Sequence, residues 1–482
     1  MHLGCGRTIP PPSRPPMPVP PPPSLPMPPP DSAWLRMEDA ANPMTITGVM
    51  GFPERMERGR FAALLRDRLL HHARFQMRVE DPEARRTRWV PETPFDIDAH
   101  VLDAELPAPG GHAGLERLAG ELMSTPMDFG RSPWTMHVVH DVDDDTATAI
   151  VVRVHHCIGD GIALMHVLLA VADERYEAAT APAARPRRPR RSARARIART
   201  ARGALGEAVD LLRRPSHAAH RLAQIGGGIA ALGGLLVMRK DSRTVFKGHA
   251  SADKRAAWTA ALPLVGVRRI ADAGGTKIND VLLAAAAGAL RRYLLAEGQP
   301  VGGVELRAAV PFNVRPLTDV PRLGNEFALV FVLLPTHLDT PRARLEEVQR
   351  RMLALKGSSQ PAVVYGILQS IGVAPDWAHE FVVDLFSSKA SAVLTNVPGP
   401  REPLHFDGVP LGEVMFWVPQ AGDIGLGLSL LSYAETVRVG VTTDAAYAGD
   451  PSAIAACFDA EFDALAEAVG VPPPRGGAGG VA

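Results

Sequence analysis

The chain has 482 residues, 52 of them basic and 52 acidic, so it is too long for one ordinary hydrophobic core and carries no global pull toward nucleic acid. Two domains of about 200 residues each are the natural expectation. Three cysteines, Cys5, Cys157 and Cys457, lack C-x-x-C spacing, which excludes a disulfide framework and suits a reducing, cytoplasmic compartment. No apolar run reaches the roughly 18 residues of a membrane span, so a soluble or peripheral protein is expected.

Residues 1–31 are dominated by proline, a composition that favours polyproline II and supplies no core, and they read as a disordered extension. The opening MHLGCG has no apolar stretch behind it, so neither a signal peptide nor a lipoprotein anchor is expected. From Ser32 the pattern turns globular. SAWLRMEDAANPMTITGVMGF predicts a short helix, a turn at Asn42-Pro43 and a strand, followed by an amphipathic helix over Met56 to His72. This first domain runs over residues 32–177.

Its most informative stretch is Thr146 to Leu169, TATAIVVRVHHCIGDGIALMHVLL. The first half alternates and is rich in Val and Ile, as in a half-buried strand, and the second repeats apolar residues at helical spacing. Between them, Cys157-Ile158-Gly159-Asp160-Gly161 forms a turn. Period-two geometry sends His155 and His156 to opposite faces, so only one can enter a given cavity. Metal binding is disfavoured for the same reason, because helical zinc pairs sit at i and i+4. Cys157 reads as a small core residue rather than a nucleophile, and no G-x-S-x-G elbow is present for a serine hydrolase.

Composition then changes abruptly. Residues 178–246 hold an arginine-rich linker, with Arg185, Arg187, Arg188, Arg190, Arg191, Arg194, Arg196, Arg199 and Arg202 crowded together, and an apolar, glycine-rich helical pattern from His217 to Met238. Two readings stay open: a membrane-surface patch, since each basic residue near anionic lipid contributes about 1 kcal/mol, or a solvated linker. A second domain covers residues 247–471. It has helices predicted at Leu264 to Ala273, from Asn279-Asp280 onward, at Thr340 to Ser358 and at Ser452 to Ala468. Strands are expected at Ala256 to Leu262, Glu305 to Val310, Phe327 to Leu334, Ser391 to Asn396, Gly412 to Val418, Ile424 to Tyr433 and Thr436 to Thr442. Residues 472–482 read as a flexible tail. Strand-rich halves, each with packed helices, indicate α/β architecture.

His155, His156, Asp160 and Gly161 complete the pattern HHxxxDG, which resembles the signature of the CoA-dependent acyltransferase superfamily typified by chloramphenicol acetyltransferase. Further blocks, Arg88-Trp89-Val90, FDIDAHV at Phe95 to Val101, PMDFGRSPW at Pro126 to Trp134, NDVLLAAAAGALRRYL from Asn279, VPFNVRP at Val310 to Pro316, Gly324-Asn325, TNVPGP at Thr395 to Pro400 and LSYAETVRVGVTTD at Leu431 to Asp444, stand in order over residues 32–470. Together they resemble the bacterial wax ester synthase/acyl-CoA:diacylglycerol acyltransferase family. One departure is Ser132-Pro133-Trp134, where family members usually carry Pro-Leu-Trp.

The resemblance implies two chloramphenicol acetyltransferase-like subdomains, each a mixed sheet with packed helices, and an active-site tunnel between them. It implies an O-acyltransferase that moves a fatty acyl group from acyl-CoA to diacylglycerol or a long-chain alcohol in a ternary complex, with no metal or prosthetic group. In that frame His156 is the general base, while His155, Asp160 and Gly161 are supporting or structural. Asp160 would either accept from the working imidazole or pair with a buried cation, for which Arg315 is the nominee, and Gly161 would let a ligand approach the helix start closely. Asn279 and Trp134 become candidates for substrate binding. Capping alone explains Asp280. Hydrophobic acceptors imply visits to a membrane or lipid-droplet surface, and no nucleic acid is expected. Two rivals come from other classes: a non-catalytic lipid-binding paralogue, and a condensation-type acyltransferase fed by a carrier-protein thioester.

Overall fold

The computed structural model describes residues 23–84, 87–174, 238–313, 323–325, 327–356 and 376–474. The arginine run at 185–202, nearly all of the apolar helix expected at 217–238, and Arg315 lie outside the described residues.

The first lobe contains β1 (Leu25–Pro26), α1 (Pro29–Arg36), β2 (Thr45–Phe52), α2 (Arg58–Arg68), β3 (Met77–Glu80), β4 (Arg88–Pro91), β5 (Val101–Asp103), α3 (Gly111–Met123), β6 (Trp134–His140), β7 (Thr148–His155) and α4 (Gly161–Val171). The second contains β8 (Lys254–Trp258), β9 (Leu262–Pro263), α5 (Leu264–Ala273), α6 (Ile278–Ala296), β10 (Leu306–Asn313), β11 (Phe327–Leu334), α7 (Pro341–Lys356), α8 (Asp376–Lys389), β12 (Ala392–Pro398), β13 (His405–Phe406), β14 (Val409–Pro410), β15 (Glu413–Trp417), β16 (Leu426–Tyr433), β17 (Thr436–Asp444) and α9 (Pro451–Ala468). The fold is mixed α/β, as the alternation of strand and helix patterns leads one to expect.

Two mixed sheets carry the structure. The larger runs β11-β10-β12-β16-β17-β8, with β9 on β17, and α6 lies buried from Asp280 to Leu290 among α7, α9 and β11. The smaller runs β15-β2-β7-β6-β5, so its edge strand comes from the second half of the chain. Glu413–Trp417 reads in sequence as a strand of the second domain. In the structure it pairs antiparallel with β2, Glu413 opposite Gly51 and Trp417 opposite Thr47. Leu404, Phe406, Val414, Met415 and Trp417 accordingly join the core of the first lobe. Periodicity identifies a strand but not its partner.

Three further boundaries differ from expectation. The fold begins before Ser32, because Leu25 pairs with Trp89 and α1 opens within the proline-rich stretch, burying Asp31. The linker ends earlier than residue 246, because Phe246 is fully buried in the second core. At the other end, a Cβ on Gly266 would lie 2.9 Å from Pro474, so the chain is still packed beyond residue 471. β7 is also covered on both faces rather than one. Even-numbered Val152 and Val154 face a cavity bounded by α2 and α4, while His155 lies on the other side against Phe129. With both faces covered, the β-branched run replaces a clean alternation.

Candidate active site

The signature turn is fixed from several directions. Asp160 caps α4, its carboxylate accepting from the Ala163 N–H at 3.0 Å, which satisfies one of the free donors of the first turn. Its own N–H donates to the Gly324 carbonyl at 3.3 Å. Gly324 has φ +134°, a conformation that only glycine adopts easily, and this geometry lays Asn325 over the turn. Arg74 braces the turn from below: Nη1 donates to the Ile158 carbonyl at 2.8 Å, and Nη2 pairs with Asp31 at 2.8 Å. Among the described residues, Arg74 is a cation that braces this turn, acting on a backbone carbonyl.

The two histidines diverge as expected. His155, fully buried, accepts the Cys157 N–H on Nδ1 at 3.1 Å and meets Glu38 through Nε2 at 3.2 Å. Because Nδ1 is an acceptor, Nε2 must carry the proton and donate it to Glu38. His156 stacks on Trp34 with ring centroids 3.9 Å apart and planes 13° from parallel. Its Nδ1 lies 2.8 Å from Asn325 Oδ1. The Asn325 amide nitrogen donates to Asp31 Oδ1 at 2.9 Å and to the His156 carbonyl at 2.8 Å, so its oxygen must face the ring. His156 is thus protonated on Nδ1, and among the described residues Nε2 has no partner. Burial drives the imidazole pKa down to about 4, opposed by the charge of Asp160 and the bond to Asn325. At neutral pH the ring is an uncharged base.

His156 is not entombed. It lines an apolar cavity with Trp34 and Met37 of the first lobe and Ala309, Pro311, Phe327, Leu329, Val383, Phe386 and Ile424 of the second. This cavity bounds about 840 Å³ of empty space, part of it open to solvent. A second apolar cavity, bounding about 890 Å³, lies within the first lobe between β2, β7 and β15 on one side and α2 and α4 on the other. It reaches the signature at Gly161. A Cβ there would meet nothing closer than Val397 at 3.9 Å, so the surrounding protein does not demand glycine at this position.

Other candidates fall elsewhere. Trp134 is fully buried and lines neither cavity: it stacks on His100 at 4.5 Å and donates its indole N–H to the Phe75 carbonyl at 2.9 Å. Its neighbour Ser132 donates to the Arg74 carbonyl at 3.2 Å and, through its N–H, to Glu92 at 2.6 Å. The Ser132-Pro133-Trp134 block thereby holds residues 74–75, and with them the guanidinium under the turn. Trp134 belongs to that brace rather than to a cavity wall. Asn279, half-buried at the start of α6, accepts from the Asn396 amide at 2.9 Å and lines neither cavity. Asp280 accepts from the Thr276 hydroxyl at 2.8 Å and the Lys277 N–H at 3.4 Å, a capping role. Burial raises the Cys157 thiol pKa well above its usual value. Among the described residues no cluster of His, Cys, Asp and Glu could hold a metal.

Asp31, Trp34, Arg74 and Asn325 are the members of the site that local patterns miss. Only Gly324-Asn325 left a trace, as a turn-forming pair.

Residues 27–282 match the model of the wax ester synthase/diacylglycerol acyltransferase catalytic domain, and residues 323–466 the model of the C-terminal domain of the same family. A probable diacylglycerol O-acyltransferase of Mycobacterium tuberculosis is 26% identical over 431 residues, covering 86% of this chain and 89% of that relative. The solved wax ester synthase/diacylglycerol acyltransferase from Marinobacter aquaeolei VT8 superposes with a TM-score of 0.65 at 20% identity, over 93% of this chain and 100% of that one. A condensation domain of the calcium-dependent antibiotic synthetase gives 0.58 at 16% identity, over 92% of this chain and 95% of that one, and shares the fold alone. With the catalytic model spanning more than half of its length, the chain belongs to the wax ester synthase/diacylglycerol acyltransferase family and is an acyltransferase.

Proposed function

We propose that this acyltransferase moves a fatty acyl group from acyl-CoA to the hydroxyl of diacylglycerol or a long-chain alcohol, with His156 as the general base. The observation that carries the reading is the His156–Asn325 hydrogen bond, which leaves Nε2 bare on the wall of an apolar cavity. Nε2 takes the hydroxyl proton as the acceptor oxygen attacks the thioester carbon. The carbon–sulfur bond then breaks, and the imidazolium returns the proton to the departing thiolate. One residue so serves both halves, and general acid–base catalysis of this kind contributes about 10²–10⁴-fold. The imidazolium that forms in passing is favoured by Asp160 and by its Nδ1–H bond to Asn325, the two influences that oppose burial. Bound together beside the ring, donor and acceptor react as an oriented pair.

Two apolar cavities at the signature turn support two long chains, one from each reactant. The test is purified protein with labelled palmitoyl-CoA, offered hexadecanol and diacylglycerol separately, with products resolved by thin-layer chromatography. Labelled wax ester or triacylglycerol is expected. No product from either acceptor, with transfer from an acyl-carrier protein instead, would replace acyl-CoA by a carrier thioester. No product from any donor, with lipid still bound, would leave a binding protein.

Among the described residues no helix is long and apolar enough to cross a membrane. A cytoplasmic protein that visits membrane or lipid-droplet surfaces through the arginine run fits its hydrophobic substrates. Deleting residues 185–202 should then weaken partitioning onto anionic vesicles, and unchanged partitioning would remove the docking role.

A further inference from the structure

We propose that Asp31, held in place by Arg74, is a positioning residue that sets the tautomer of His156 through the side-chain amide of Asn325. The proposal rests on the reading of His156 as the base, and it concerns what makes the correct nitrogen bare. A lone imidazole can carry its proton on either nitrogen, and the surroundings decide which.

Each link of the chain constrains the next, the first of them, Arg74 to Asp31, by charge. Arg74 can only donate. Its Nη2 lies 2.8 Å from Asp31 Oδ2, its Nη1 is used on the Ile158 carbonyl, and its guanidinium lies 5.6 Å from the centre of the Trp89 ring. Asp31 is 1% exposed, and its Oδ1 takes two donors from one residue, the Asn325 backbone N–H at 3.0 Å and side-chain amide at 2.9 Å. A carboxylate oxygen occupied by two donors can face only the nitrogen end of the Asn325 amide. That end also donates to the His156 carbonyl at 2.8 Å, so both amide hydrogens are spent. The amide oxygen is left pointing at Nδ1. An oxygen there requires Nδ1–H, and Nδ1–H leaves Nε2 unprotonated. Reversing the amide would place its oxygen against both the Asp31 carboxylate and the His156 carbonyl, two repulsive contacts in a buried site, whereas the ring could meet the N–H by moving its proton to Nε2.

A second consequence follows from where these residues sit. Asp31 and Arg74 belong to the first lobe and Asn325 to the second half of the chain, so the base acquires its reactive tautomer only when residues 323–325 are seated on the signature turn. A merely structural ion pair would hold α1 against the turn and leave the ring indifferent.

The test combines a spectroscopic and a kinetic readout on the full-length chain. Histidine rings labelled with ¹⁵N report which nitrogen is protonated, and the His156 signals are those absent from His156→Ala. At neutral pH the wild-type protein should show Nδ1 protonated and Nε2 bare. Asp31→Asn keeps the size but adds a donor, which removes the carboxylate's hold on the nitrogen end of the Asn325 amide and leaves only the His156 carbonyl to favour it. The expected result is an Nε2–H population at His156, and a fall in kcat of about 10²-fold or more with KM within about threefold, the upper bound being the ~10⁴-fold cost of a fully mis-set catalytic histidine. Should Asp31→Asn fail to fold, Asp31→Asn/Arg74→Gln leaves no unpaired charge and makes the same comparison. Wild-type protein protonated at Nε2 would overturn the proposal, as would an Asp31 variant that keeps both the wild-type tautomer and the wild-type kcat. Catalysis by His156→Ala at the wild-type rate would instead sink the base assignment, while the tautomer readout would still decide the role of Asp31.

Discussion

The surroundings of His155 and of His156 differ in one respect that, on the proposed mechanism, separates a packing residue from a reactive one. At His155 a donor, the Cys157 N–H, faces Nδ1, so the proton sits on Nε2 and is bonded to Glu38. At His156 an acceptor, Asn325 Oδ1, faces Nδ1, so the proton sits there and, among the described residues, Nε2 has no partner. Adjacent residues of the same type thus hold opposite tautomers. The Nε2 of His155 is taken up by Glu38 while that of His156 faces a cavity, and the selection is made by what each Nδ1 meets.

The sharpest way to break this contrast is to truncate each ring in turn. His156→Ala should lower kcat of the folded protein by about 10³-fold or more, as expected for loss of a general base, whatever stability it loses with the Trp34 stack and the Asn325 bond. His155→Ala should act on stability and spare the chemistry. It leaves the Cys157 N–H without its acceptor and opens a cavity beside Phe129, so a loss of about 2–3 kcal/mol in denaturant unfolding is expected, with kcat of the folded fraction within about tenfold of wild type. Similar losses of kcat in both variants would erase the distinction.

Stability against pH sharpens it further. The His156 pKa is near 6.5 in the unfolded chain and depressed to about 4 in the folded one. Between these values the unfolded state binds the extra proton, so the contribution is intact above about pH 6.5 and is lost as pH falls toward 4. The total is about 3 kcal/mol. Comparing denaturant midpoints at pH 7 and pH 5 for wild type and His156→Ala should show a smaller acid loss in the variant. Equal losses would mean that burial does not hold the ring neutral.

Smaller effects are expected away from the rings. Leu168→Trp narrows the cavity within the first lobe and should shift the ratio of kcat/KM values from long toward short acyl-CoA by about tenfold, the scale of a few methylenes in an apolar pocket. An unchanged ratio would place the acyl chain elsewhere. Cys157, buried with a raised thiol pKa, should resist maleimide labelling in native protein and react only in denaturant, as mass spectrometry would show.

Much of this site was legible along the chain. The alternation of Thr146 to His155 and the Gly-Asp-Gly turn place two histidines on opposing faces, and the helix beginning at Gly161 follows from its apolar spacing. What escaped was contributed from far away. Asn325 lies 169 residues from His156, and a Gly-Asn pair reads locally as a turn because both residues tolerate positive φ. Asp31 was hidden by its prolines, which suggest an uncommitted chain, although proline is well tolerated in the first turn of a helix such as α1. Trp134, a substrate-binding candidate on the family resemblance alone, lines neither cavity, and its indole bond to the Phe75 carbonyl holds Arg74's neighbour, a long-range contact no local pattern carries. The strand expected at Gly412 to Val418 is present but joins the sheet of the first lobe rather than the second domain, since hydrophobic period carries no record of which edge a strand will join.

The most direct test of a neutral imidazole with a bare Nε2 is the pH dependence of kcat/KM for acyl transfer from palmitoyl-CoA to hexadecanol or diacylglycerol, whichever is the better acceptor. Because the folded His156 pKa lies near 4, kcat/KM should stay level from pH 8 down to about pH 5. A fall to half by about pH 6.5, the value of an unburied imidazole, would contradict the account.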